Sequence, residues 1–391
     1  MKKILILTVF IFCSCILYVY PQSSPEITVE LLTVGPGTAT YSIYGHSALR
    51  IIIPAKGTDV VYNWGVFDFN TKFFAWKFAK GRLNYMLAPA INERFLQEYF
   101  FDKRWVLSQK INLEPTEIQK LIELIDENLK PENITYRYDF FYDNCSTRIR
   151  DILEKAVGEN LLYPPEDKAE KMTFRDKIGK YQRPYPWLKL GVDLLLGHPA
   201  DKKVSFRDKM FLPIDLMEGL SDLVINRNGR MVPLLQNPVT ELDFDSPVVK
   251  NSFLTAPLFI FSVIFILILI MTAVYKSQKI IRTADIIIFS VYSLLALLLI
   301  FFNFITDHEQ TKWNLNMIWI SPFILICLAS IIMKKEWVIW FRIVFYLSLI
   351  SFAIILAFPG AFNSAFMPLM LILIIRSSTR ADFSWNPLSV Q

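Results

Sequence analysis

The 391-residue chain is poor in cysteine, histidine and glycine, with four Cys, three His and thirteen Gly. Four cysteines cannot staple a fold of this length, which excludes a disulfide scaffold. The chain has no metal-ligand spacing and no glycine-rich nucleotide fingerprint, so neither a metal nor another cofactor is expected. A basic stripe is also missing. Residues 23–252 carry 30 basic and 31 acidic side chains, a net charge of −1 that speaks against a nucleic-acid partner.

What the chain has in excess is uninterrupted apolar length, and it is unevenly placed. Residues 23–252 hold 61 charged side chains, whereas residues 253–391 hold only 14. Met1, Lys2 and Lys3 precede an apolar run from Ile4 to Tyr20, so residues 1–22 read as a secretory leader or an N-terminal signal anchor. No small-x-small cleavage site follows it, and Phe12-Cys13-Ser14-Cys15 is a poor lipidation box because Phe stands where a small aliphatic is usual. Beyond residue 250, Phe253–Tyr275, Ile286–Thr306, Leu315–Met333, Val338–Ala357 and the shorter Phe362–Ile375 read as membrane spans, since about 20 apolar residues cross a bilayer core. Lys276, Lys279 and Arg282 follow the first span, Lys334 and Lys335 the third, and Arg376 and Arg380 the fifth. All three clusters fall on one side, the cytoplasmic one by the positive-inside rule, together with Lys2 and Lys3. Residues 23–250 are therefore exported, residues 251–377 form an all-α membrane domain of about five helices, and 378–391 are a cytoplasmic tail.

Within the exported part, Ala48–Ile53, Val60–Val66, Arg82–Leu87, Trp105–Leu113 and Thr135–Tyr142 carry the β-branched and aromatic patterning of strands. Thr116–Leu129 places Ile118, Leu121, Ile122, Ile125 and Leu129 on one helical face. Ser146–Val157 does the same with Ile149, Ile152, Leu153 and Ala156 before Gly158 stops it. Strands flanked by helices give an α+β class. Residues 23–160 are read as the core domain and 161–250 as a Pro- and charge-rich extension packed on it, with a helical pattern at Trp187–Leu196.

Once sides are assigned, Cys145 is the only thiol in the exported part, because two cysteines lie in the leader and Cys327 lies in a span. In Tyr142-Asp143-Asn144-Cys145-Ser146, Asp143 or Asn144 caps the helix that follows and sets the thiol in its first turn. The helix dipole there favours a thiolate, the nucleophilic form. A thiol nucleophile needs a base. His46, in Tyr44-Gly45-His46-Ser47 at the start of an apolar strand, is the better placed of the two exported histidines; His198, in Gly197-His198-Pro199, reads as a polar turn residue. A third residue would orient the imidazole, and both Asn63 and Asp68 lie on or beside the next strand.

The order of a glycine-preceded His at a strand start and an Asn-Cys pair at a helix start resembles the permuted branch of the NlpC/P60 papain-like superfamily. More closely, Tyr44-Gly45-His46-Ser47, Tyr62-Asn63-Trp64-Gly65, Gly81-Arg82-Leu83, Tyr138 to Cys145, Thr173-Phe174-Arg175-Asp176, Leu194 to Gly197 with Asp201, and Met210-Phe211-Leu212-Pro213 together resemble the Lnb family of Bacteroidota envelope proteins, over about residues 25–375. The resemblance implies a permuted papain-like exported domain and lipoprotein N-acylation. A membrane phospholipid would be the acyl donor, and the N-terminal amine of a diacylglyceryl-modified lipoprotein the acceptor. Cys145 would carry the acyl group as a thioester, His46 would relay protons, and Asn63 would orient His46. Tyr44, Asn144 and Arg148 are candidates for substrate binding. His308 and Asn314, in the exported loop Thr306–Asn314, are candidates for holding a headgroup beneath the site. Backbone N–H groups at the start of the Cys145 helix are candidate oxyanion donors. The competing readings are a cell-wall peptidase with the same Cys and His, and a non-enzymatic envelope scaffold.

Overall fold

A computed structural model of the protein describes residues 27–165 and 171–383. The expected leader, with Cys13 and Cys15, lies outside the described residues, as does the end of the expected tail. Ten strands occur among the described residues: β1 (Thr28–Val34), β2 (His46–Ile53), β3 (Thr58–Val66), β4 (Asn84–Ile91), β5 (Val106–Lys110), β6 (Thr135–Arg137), β7 (Leu161–Leu162), β8 (Val224–Arg227), β9 (Arg230–Pro233) and β10 (Val239–Leu242). Seven form one sheet in the order β10-β5-β1-β2-β3-β4-β6, and β7-β8-β9 form a smaller one. All pairings are antiparallel. The helices of this part are α1 (Phe74–Ala79), α2 (Asn92–Phe101), α3 (Pro115–Leu129), α4 (Cys145–Val157), α5 (Phe174–Gln182), α6 (Pro186–Leu195) and α7 (Pro213–Ser221).

The five strands and the helices read from periodicity all occur, with shifted ends. Strand β6 keeps only three residues because the chain turns at Asp139, whose Oδ1 accepts the N–H groups of Phe141 and Tyr142. Strand β1 carries no alternation in its sequence because it is a central strand, paired on both edges and buried on both faces for most of its length. One face of the sheet presents Leu31, Leu49 and Trp64 to Leu121 and Ile125 of α3 and to Ile149 and Leu153 of α4. Each such side chain contributes about 1.5–3 kcal/mol through burial. The stretch 161–250 both packs on this core and completes it. Leu216, Leu220, Ile225 and Leu234 belong to the same apolar cluster, and β10 pairs with β5 to close the sheet.

In the C-terminal part follow α8 (Pro257–Val274), α9 (Gln278–Ile300), α10 (Phe323–Met333), α11 (Val338–Ala357) and α12 (Phe366–Ser378). Three stretches are long and apolar enough to cross a membrane: Pro257–Val274, Gln278–Ile305 and Val338–Ala357. Helices α10 and α12 are apolar but shorter. The third expected span is not one continuous helix, and its first half explains why. Asn314 Nδ2 donates to the carbonyls of Leu194 and Leu195, and Asn316 Nδ2 to those of Asp193 and Leu194, so this segment unwinds to cap the C-terminal end of α6. Leu190, Leu194 and Leu195 of α6 in turn pack on the core of the membrane part. Deeper in that part, buried Asp285 pairs with Arg376 at 2.7 Å and with Arg380 at 2.6 Å, tying α9 to the end of α12. Charges within apolar spans require such partners.

Candidate active site

Helix α4 starts at Cys145 because Asn144 caps it on both sides. Asn144 Oδ1 accepts the N–H groups of Ser146 (2.8 Å) and Thr147 (3.0 Å), and Thr147 Oγ1 accepts the N–H of Asn144 at 2.8 Å. The amide nitrogen of Asn144 donates to the carbonyls of Phe140 and Phe211, so this buried side chain has no bonding capacity left. Asn144 lines the cavity, and its side-chain hydrogen bonds fix the first turn under the thiol. The cap also occupies two of the N–H groups expected to face an oxyanion, which leaves the N–H of Cys145 itself as the helix donor nearest the sulfur.

Opposite the thiol stands the end of the sheet. His46 opens β2, and its Nε2–H donates to Oδ1 of Asn63 at 2.6 Å. Both His46 and Cys145 line one cavity, and each acts on the other's proton affinity through charge and hydrogen bonding. Asp68 is exposed, and its carboxylate accepts the N–H of Asn70 in a local turn. Gly65 sits at the β3 bulge with φ +91°, a conformation that favours glycine, and a Cβ there would stand in ordinary contact, 3.7 Å from Cys145 Cβ.

Burial pushes the Cys145 thiol up, but the positive charge and hydrogen bond of His46 pull it down further, joined by the Ser47 N–H and the Ser146 hydroxyl, and the balance lies below the ordinary thiol range. Burial pushes His46 down, while the Cys145 charge and the hydrogen bonds to Cys145 and Asn63 raise it above the ordinary imidazole value. Each residue is a cause of the other's shift, and both shifts favour movement of the thiol proton to the imidazole. Such a pair is a nucleophile with an adjacent proton carrier.

The pair opens into a cavity of about 340 Å³ with a mainly aromatic and aliphatic lining that includes Phe67, Phe78, Leu83, Tyr85 and Phe140. Tyr138 lies in it, stacked on Tyr85 at 4.4 Å. Burial, and then the neighbouring Cys145 charge, hold its phenol well above its ordinary value, so it is a neutral O–H donor. Aromatic side chains continue outward from the cavity: Phe67 lies 5.1 Å from Tyr85 and 5.8 Å from Phe74, and Phe74 lies 6.2 Å from Phe78. Trp76 of α1 packs 5.7 Å from Phe301 at the end of the second long apolar stretch. Phe69, Phe73 and Trp76 are exposed.

Of the remaining expected residues, Tyr44 and His308 line the same cavity. The Tyr44 hydroxyl accepts from Gln182 Nε2 at 2.7 Å, and its phenol is raised by burial. His308 Nε2 donates to the Phe78 carbonyl at 3.1 Å. Arg148 does not line it. Its guanidinium pairs bidentately with Asp143 at 2.6 and 2.9 Å and stacks 3.5 Å over the Tyr136 ring, bracing the turn before Cys145. Asn314 lies away from the thiol as well, capping α6 beside a second cavity. His198 lines that second cavity too.

Sequence reading missed Gln310, Tyr138 and Gly65. Gln310 comes from the loop after α9, lines the thiol cavity, and donates to both carboxylate oxygens of Asp139 at 2.7 Å. Asp307 of the same loop accepts from Arg82 at 2.8 Å and Arg137 at 3.1 Å. The membrane part thus supplies one wall of the cavity and clamps the turn that precedes Cys145. Charge in a loop predicted to lie on the exported side was the available signal.

Fold and site together define a membrane protein whose exported α+β domain presents a Cys–His–Asn constellation toward its own membrane helices. The chain matches the model of the Lnb N-terminal periplasmic domain over residues 22–176 and that of the Lnb transmembrane domain over residues 249–383. It belongs to the Lnb family, and its N-terminal domain is periplasmic. Comparison with curated proteins and with solved structures gives no match.

Proposed function

We propose that this protein is a lipoprotein N-acyltransferase of the cytoplasmic (inner) membrane, with Cys145 as nucleophile, His46 as proton carrier and Asn63 as the residue that orients His46. The observation that carries the reading is the grouping of Cys145, His46 and Asn63 at an apolar cavity whose wall is shared with the membrane part. In the first half-reaction the thiolate attacks the ester carbonyl of a phospholipid. The tetrahedral intermediate collapses with cleavage of the acyl C–O bond, and the departing lyso-lipid oxygen takes the proton of the His46 imidazolium, leaving a thioester on Cys145. In the second, the α-amine of the lipid-modified N-terminal Cys of a lipoprotein attacks that thioester. His46 accepts the amine proton as the amide forms, and the thiolate leaves, which restores the ion pair. The Cys145 N–H and the Tyr138 hydroxyl are the donors for the oxyanion in both steps.

The aromatic side chains of Phe67, Phe74, Phe78 and Tyr85, with Trp76 of the same helix packed on Phe301, support the lipid part of this reading, because they give an acyl chain apolar surface between the membrane helices and the thiol. His308 and Gln310 form the rim on the membrane side. The test is mass spectrometry of lipoprotein N-termini from cells whose only copy carries Cys145→Ala. Free amines replacing N-acyl chains are expected, and unchanged N-acylation with the variant stably produced overturns the assignment.

A further inference from the structure

A second cavity, of about 650 Å³, lies on the far side of the loop that follows α9. Among the described residues none lines both cavities. The wall between them is tight: Gly197 N–H donates to the Gln310 carbonyl at 2.8 Å, and a Cβ at Gly197 would stand 1.7 Å from the carbonyl oxygen of Lys312. One side of the second cavity is formed by α5 and α6, the other by the start of α8 at Ala256–Leu258 and by residues 360–365 before α12. These are the ends of the membrane helices that meet the periplasmic domain, where Asn363 bonds Asp193 at 2.8 Å and Trp187 bonds the Thr255 carbonyl at 2.9 Å.

The charges around this cavity are unevenly satisfied. Arg175 pairs with Asp201 at 2.6 Å, and Lys189 with Asp193 at 2.9 Å. Asp176 is bonded to the backbone and hydroxyl of Thr173 at the start of α5. These three are the carboxylates on the wall among the described residues. Lys180 and Arg183 remain. They lie three residues apart at the end of α5, hence on neighbouring positions of one helical face, and among the described residues neither meets a carboxylate. Helix α8, one of the stretches able to cross a membrane, starts at the cavity wall with Pro257 and Leu258, and farther down its exposed Val263, Ile264 and Leu267 share one face as an apolar track.

We propose that this cavity binds a phosphate-type anion through Lys180 and Arg183. With four cations against three carboxylates the described wall carries one net positive charge, which matches one phosphodiester, and Arg and Lys hold such groups by charge-assisted hydrogen bonds. The source that fits the apolar track is the headgroup of a lipid in the outer leaflet, its chains lying against α8. The site is separate from the thiol, so its occupancy does not depend on acyl transfer.

The experiment uses full-length protein carrying Cys145→Ala in a non-ionic detergent, with thermal unfolding and native mass spectrometry followed as dihexanoyl phosphatidylglycerol or inorganic phosphate is added. Saturable binding of the lipid at concentrations where inorganic phosphate has no effect places the anion on a lipid headgroup. Equal stabilisation by the two probes places it on free phosphate, and the site stands. In a Lys180→Gln/Arg183→Gln variant the affinity for the effective probe falls about tenfold or more. A Lys120→Gln/Lys155→Gln control, altered at exposed positions on α3 and α4, keeps it. No saturable binding of either probe, or unchanged affinity in the Lys180/Arg183 variant, overturns the proposal; neither result bears on the role of Cys145, which is absent throughout.

Discussion

The two cavities on either side of the loop after α9 handle polarity in opposite ways. Around Cys145 the lining is apolar and the few polar groups are directed: Asn144 is committed to the helix cap, Asn63 to His46, and Gln310 to Asp139. Around Lys180 and Arg183 the described wall is densely charged and mostly self-paired, with four cations against three carboxylates. Burial is the physical difference. In the first cavity it magnifies the interaction between one thiol and one imidazole, whereas exposed cations in the second are screened and act by attracting a complementary anion. The first arrangement suits the proposed reaction and the second the proposed recognition of an anion.

The comparison is broken most sharply at the thiol. Cys145→Ala is expected to lower N-acylation on the order of a thousandfold or more, read from lipoprotein N-termini, while leaving anion binding in the second cavity intact. His46→Ala follows, with a loss of about a hundredfold or more. It removes the positive charge that holds the thiol down and leaves burial, which pushes it up. The pH profile of Cys145 alkylation by iodoacetamide should accordingly move to the alkaline side; an unmoved profile would show that the two residues are not coupled.

Asn63→Ala is a gentler probe, with a loss of about tenfold from one hydrogen bond to a charged ring. Because that bond raises His46, its removal lets the imidazolium lose its proton at lower pH, so the alkaline limb of activity shifts downward toward the value of a free imidazole, about 6.5. A smaller effect is expected from Asn144→Ala, which takes away the helix cap and costs about 1–2 kcal/mol in thermal stability. Arg148→Gln is smallest. Its pair with Asp143 is partly exposed, so the cost in stability is at most about 1 kcal/mol, and the KM for the lipid donor stays unchanged because the guanidinium does not reach the cavity.

Much of the thiol site was legible in the chain because its components carry strong local signals. A cap residue before a helix and a glycine before a strand mark where Cys145 and His46 begin their elements, and one-sided charge fixed which thiol is exported. The roles of Asn144, Arg148 and Asn314 were not legible. Whether a polar side chain is free depends on partners far along the chain, such as the Phe211 carbonyl for Asn144 and the Leu194 carbonyl for Asn314. Strand β1 escaped because a strand buried on both faces has no alternation to read, and the interrupted third span because its asparagines bond α6 rather than lipid or water.

By itself the sequence determined the topology, the α+β class of the periplasmic domain, and the isolation of one thiol with one imidazole, since these follow from hydrophobic length, periodicity and charge counted along the chain. Only the tertiary structure decided that the membrane loop forms a wall of the thiol cavity, that β10 extends the sheet from the far end of the domain, and that Lys180 and Arg183 meet no carboxylate among the described residues beside a second cavity. Those outcomes depend on which groups meet across hundreds of residues, and hydrogen bonds and ion pairs are satisfied in space, not in sequence.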